Sequence, residues 1–112
     1  MNRRAMLTLA DEYAALLDVN GAVILRADLD TRFTLPTDRL IILNHARWQI
    51  EIARRVVHRL GGEGTVMRLL GSVQGLLIAV GLVTVRDVWQ ENEKWLDRTS
   101  VRAFETTKAE IE

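Results

Sequence analysis

Apolar residues recur at intervals of three and four along most of the chain, which is the spacing of amphipathic helices. The first such stretch runs from Met6 to Leu17, and the acidic residues Asp11 and Glu12 fall outside its apolar stripe. Asn20-Gly21 follows this stretch. Because both residues tolerate the left-handed backbone of a helix end, we expect the first helix to stop there.

The second stretch, residues 38–60, predicts a helix that is apolar around much of its circumference. Thr37 and Asp38 stand at its start as good N-cap residues. An ordinary surface helix carries a narrower apolar stripe, so this helix needs neighbours on most of its sides. The apolar arc consists of Ile41, Ile42, Leu43, Ala46, Trp48, Ile50, Ile52, Ala53, Val56, Val57 and Leu60.

A third helix is predicted over residues 65–82, after a tight glycine-rich connection at 61–64. Gly71, Gly75 and Ala79 are four residues apart and therefore stack on one face of this helix. Small residues at that spacing allow another helix backbone to approach closely. We therefore expect this face to lie at a close helix contact.

A fourth helix is predicted after Thr84-Val85-Arg86-Asp87, which reads as a variant of the capping box. Residues 22–35 are different, because their short apolar runs alternate partly with charged residues. Both a short β-hairpin and an extended arm fit this region, and Pro36 closes it. The pattern as a whole predicts one mainly α domain over residues 1–112, a bundle of about four helices.

Composition excludes several classes of site. The chain has no cysteine, so disulfides, zinc–thiolate sites and thiol nucleophiles are ruled out. Fifteen basic and fifteen acidic residues give a formal net charge of zero, which argues against a general nucleic-acid binder. The first residues do not form the apolar core of a secretion signal, and we expect a cytoplasmic protein. No catalytic group, cofactor site or metal site is expected.

A basic sector on the second helix is the candidate face for nucleic acid or a partner protein. Arginines on one helix face suit a phosphate backbone, although Glu51 lies among them and a solvated face is the ordinary reading. Tryptophans are frequent anchors of protein interfaces, and core packing is their other common role. The candidate residues for this face are Arg47, Arg54, Arg55, His58, Trp89 and Trp95.

The two apolar helices are too hydrophobic for three or four short helices to cover on all sides. An uncovered apolar patch of a few hundred square ångströms implies a partner. We therefore expect a homo-oligomer, with a dimer favoured. The candidate interface residues are Gly71, Gly75, Ala79, Ile50 and Val57.

A membrane span is the alternative reading of the third helix. No charged residue occurs between Arg68 and Arg86, and a span needs roughly 20 mostly apolar residues. The uncharged stretch is close to that limit, but it contains glycines and a break is expected near Gly81. A buried helix is favoured over a span.

Three segments resemble a group of small, uncharacterised proteins encoded by tailed bacteriophages. The resemblance is carried by an Asn-His-x-x-Trp helix at residues 44–48, a Leu-Gly-x-x-Gln-Gly helix at 70–75, and the helix capped by Thr84. It covers about residues 44–92. It implies a phage or prophage origin and a compact helical core, and it provides no activity and no catalytic residue.

Together these observations suggest a non-enzymatic, phage-type accessory protein in the cytoplasm of a bacterial host. We expect it to self-associate and to bind a host or phage protein, with inhibition of that protein as one way in which it could act. Two alternative functions also fit the sequence: a nucleic-acid-binding regulator that uses the basic sector, and a small membrane protein with a single span.

Overall fold

The computed structural model describes residues 2–94. They form four helices: α1 (Arg3–Val19), α2 (Arg39–Val56), α3 (Gly62–Ala79) and α4 (Val85–Glu93). The mainly α class and the four helices predicted from the sequence are confirmed. Residues 2–94 contain no strand, so the connection between α1 and α2 is not a hairpin. It is an irregular segment over residues 20–38, with turns at 29–30 and 35–38, and we call it the arm.

α2 is the centre of the fold. Both α1 and α3 pack against it, while α1 and α3 touch each other little. One continuous core fills the space between the three helices. Its largest fully buried side chains are Met6, Leu9, Leu17, Leu43, Ile50, Val57, Val66, Val73 and Leu77.

The helix ends follow the local sequence signals. Gly21 has φ 83° and Gly81 has φ 77°, in the left-handed region that favours glycine. These two glycines end α1 and α3 near the predicted positions. At the start of α4, the Asp87 N–H donates to the Thr84 hydroxyl, and the Thr84 N–H donates to the Asp87 carboxylate. The predicted capping box is therefore present.

Two boundaries on either side of the glycine-rich connection differ from the sequence prediction. α2 ends at Val56 instead of residue 60, and α3 begins at Gly62 instead of residue 65. The reason is a close approach: a Cβ atom on Gly62 would collide with the Val56 carbonyl oxygen. Only glycine lets the first turn of α3 pack this tightly against the end of α2.

The uncharged stretch at residues 69–85 is not one continuous helix. α3 ends at Ala79, and a turn containing Gly81 separates it from α4. Over residues 2–94, no helix combines the length and the apolar character that crossing a bilayer requires.

The contrast between Gly62 and Gly64 gives a stability prediction. Gly62→Ala should lower the free energy of unfolding by about 1–3 kcal/mol, because the new methyl group has no space. Gly64→Ala should raise it by about 0.5–1 kcal/mol, because Gly64 is an exposed position of α3 where a Cβ would meet only Nη1 of Arg68, at an ordinary contact distance of 3.9 Å. Urea unfolding of both variants measures the two changes. Equal effects of the two substitutions would contradict the close contact at Gly62.

Candidate interaction surface

The most prominent surface feature is a concentration of exposed apolar side chains on the arm and the first turn of α2. Twelve large hydrophobic residues are exposed among residues 2–94, and eight of them lie between Val23 and Ile41. We call these eight the arm surface: Val23, Ile24, Leu25, Leu29, Phe33, Leu35, Leu40 and Ile41. Concentrations of exposed apolar side chains mark interaction sites on folded proteins.

The arm is attached to α2 by two side chains that accept hydrogen bonds from its backbone. The Val23 N–H donates to Oδ1 of Asn44 at 2.9 Å, and the Ala27 N–H donates to Nδ1 of His45 at 3.1 Å. Asn44 is itself buried. These two bonds replace the strand ladder that the arm lacks, and they fix the part of the arm between them against α2.

Trp48 completes the attachment. Its ring stacks on the His45 ring, with centroids 5.4 Å apart. The Arg26 guanidinium carbon lies 5.9 Å from the Trp48 ring centroid, within the range of a cation–π contact. The Asn-His-x-x-Trp motif of α2 therefore has a structural role, which is to hold residues 23–27.

The environment of His45 favours its neutral form. Burial of the half-buried ring lowers the pKa of His45, and the nearby positive charge of Arg26 lowers it further. A neutral ring is also what the hydrogen bond requires, because Nδ1 can accept from Ala27 only when it carries no proton.

The predicted basic sector of α2 is largely used inside the chain. Arg47 is buried, and its guanidinium pairs with Asp18 of α1 at 2.8 Å and with Glu51 at 3.3 Å. Arg54 pairs with Asp11 of α1 at 2.7 Å and shares Glu51 at 3.7 Å. These two arginines bind α1 to α2, so they do not form the free partner face expected from the sequence.

The other residues of that predicted face do not form one surface with them. Arg55 and His58 are exposed near the end of α2, where they remain available. Trp89 lies half-buried on α4 and has contacts within the chain. Trp95 lies outside the described residues.

The predicted oligomer interface divides into two parts. Gly71, Gly75 and Ala79 are exposed on one face of α3, and a Cβ on either glycine would meet nothing within 4 Å. No helix of the described chain packs there, so this face is free for another chain. Ile50 and Val57 are instead 0% and 1% exposed in the core. The expectation that they form an interface is corrected, because the chain's own core covers them.

A second site, made of polar side chains and not expected from the sequence, joins α4 to the other helices. Gln74 and Asn92 form a reciprocal amide pair, with Nε2 of Gln74 2.7 Å from Oδ1 of Asn92, and Nε2 also donates to the Tyr13 hydroxyl. Burial raises the pKa of Glu12, and the adjacent Glu91 carboxyl raises it further. Helical periodicity could not predict this pairing, since Glu12 and Glu91 are far apart along the chain.

The chemistry available at this second site is limited by space. A pocket of about 100 Å³ beside it is lined by Tyr13, Val83, Asp87, Val88 and Glu91. Pockets for small-molecule ligands are typically about 300–1,000 Å³. The site fits a role in holding α4 in place. Residues 2–94 also contain no group of three or more potential metal ligands.

The anchors of the arm could not be predicted from the sequence, for a physical reason. Asn44 and His45 lie 21 and 18 residues from the amides they bind, and side-chain periodicity carries no information on such pairs. The available signal was a polar Asn-His pair beside the apolar arc of α2.

Comparisons with protein-family models, curated proteins and solved structures gave no match.

The ion pairs of Arg47 give a second prediction. Arg47→Ala should lower the free energy of unfolding by about 2 kcal/mol, because it removes two charge-assisted hydrogen bonds at a buried site. Arg55→Ala, on the exposed side of the same helix, should change it by less than about 0.5 kcal/mol. Thermal and urea unfolding of the two variants provide the comparison. Equal stabilities would mean that Arg47 does not bind α1 to α2.

Proposed function

We propose that this chain is a non-enzymatic accessory protein, of the kind that tailed bacteriophages encode, which binds a phage or host protein in the bacterial cytoplasm. The observation that carries the proposal is the arm surface, where most of the exposed large apolar side chains of residues 2–94 are gathered. Burial of apolar area drives most protein–protein association. A partner that covers this surface removes it from water.

The chemistry of the arm indicates the kind of partner. Charged residues of both signs, Arg26, Asp28, Asp30 and Arg32, are interspersed with the apolar residues. A protein with an apolar cleft and a polar rim suits this pattern, because interfaces commonly combine an apolar centre with a charged edge. Nucleic acid suits it poorly, since the arm has no excess of positive charge.

Self-association is proposed through the exposed face of α3, with a second copy of the chain as the occupant. A helix face in water normally carries charged residues, but no charged residue follows Arg68 on α3. Gly71 and Gly75 leave room for the backbone of an identical helix. The formal net charge of zero means that two copies do not repel each other strongly.

Light scattering at micromolar concentration tests self-association. The wild-type chain should give the mass of a dimer, and Ala79→Lys should give a monomer because it places a charge in the proposed contact. Ala15→Lys is the matched control, since Ala15 is an exposed alanine of α1, and this variant should remain dimeric. A monomeric wild-type chain, or equal masses for both variants, contradicts the proposed interface.

Partner binding is tested by capture from a bacterial lysate with three forms of the chain. A partner of the arm should be captured by the wild type and lost with the double variant Ile24→Ser and Leu29→Ser. Both side chains are at least half exposed, so the fold should be retained. Leu60→Ser removes an exposed leucine outside the arm and should capture the same partner as the wild type. If all three forms capture the same proteins, the arm surface is not the binding site.

A further inference from the structure

We propose that His45 is a pH-sensitive latch that holds the arm in its docked conformation and releases it when the imidazole ring is protonated. The inference rests on the proposed function for its biological consequence, which is pH control of partner binding. Docking of the arm can be measured without any partner, so the two proposals can fail separately.

The geometry of the latch depends on one nitrogen atom. Nδ1 of His45 accepts the Ala27 N–H at 3.1 Å. An imidazolium ring carries a proton on both nitrogens and has no acceptor left. Protonation of a docked ring therefore removes the hydrogen bond and leaves two N–H groups facing each other.

The surroundings of the ring strengthen this response. The guanidinium of Arg26 lies over the Trp48 ring, and its positive charge is the one in the arm that acts on His45. The α2 residues one turn away from His45 are Ile41, Ile42, Trp48 and Gln49, and none of them carries a charge. Asp28, Asp30 and Asp38 are the carboxylates of the arm, and none of them contributes to the shift in the pKa of His45. A protonated His45 would thus face the positive charge of Arg26 without a carboxylate that offsets it.

The direction of the pH dependence follows from linkage. The pKa of His45 in the docked arm is lowered from its ordinary value of 6.5, first by burial and then by Arg26. The released ring binds a proton more readily than the docked ring. Docking is therefore at full strength above the pKa of the released ring, and it weakens as the pH falls below that value towards the lower pKa of the docked ring.

Asn44 forms the part of the attachment that does not titrate. Its amide oxygen accepts the Val23 N–H at any moderate pH. Protonation of His45 is therefore expected to release the arm from its Ala27 end, while the Val23 end stays attached for longer. A partner that recognises the docked arm loses apparent affinity in proportion to the docked fraction.

Amide hydrogen exchange measured by NMR tests the latch. The protection factor of the Ala27 amide should fall by up to about tenfold between pH 7.5 and pH 5.5, because a single proton is linked to docking. The amide of Val73, in the buried part of α3, should keep its protection factor and report that the fold is intact. A constant factor at Ala27, or a parallel fall at Val73, overturns the proposal.

Two histidine variants supply the control. His45→Asn places an amide oxygen at the position of Nδ1 and cannot titrate, so the protection of Ala27 should become independent of pH. His58→Asn removes the other histidine, which is exposed near the end of α2, and should leave the wild-type pH dependence in place. The latch is wrong if His45→Asn retains the fall or if His58→Asn abolishes it.

Discussion

The fold depends on the need to cover α2 around its circumference. α1 and α3 take two sides of this helix and form the core with it, and part of a third side receives the arm through Asn44, His45 and Trp48. The interactions that hold each neighbour to α2 are different. The core contacts are apolar, the contact with α1 adds the buried Arg47 ion pairs, and the arm is held by two hydrogen bonds to its backbone.

These different attachments divide the molecule into a rigid part and adaptable parts. Nine large side chains are fully buried between the three helices, which fixes one packing arrangement there. The arm contributes mostly exposed apolar groups, and its contacts depend on the protonation state of His45. Its position can therefore change at little cost to the core, and this combination suits a surface that binds and releases a partner.

Local features of the fold could be read from the sequence. The Thr84–Asp87 capping box and the helix ends near Gly21 and Gly81 depend on residues close together along the chain. The pairing of Arg47 with Asp18 could not be read in this way, nor could the burial of Ile50 and Val57. Helical periodicity shows which residues share a face, but it does not show which neighbour covers that face. The candidate site could not be predicted for the same reason, because its anchors join α2 to an aperiodic segment.

The manner in which α4 is attached has a consequence for the energetics of the whole domain. None of its residues is buried, and the Gln74–Asn92 amide pair is one of the contacts that hold it to α3. Segments with few buried apolar contacts open at free energies well below that of global unfolding. We therefore expect two levels of cooperativity in the domain, with α4 opening locally at a lower free energy than the unfolding of the three-helix core.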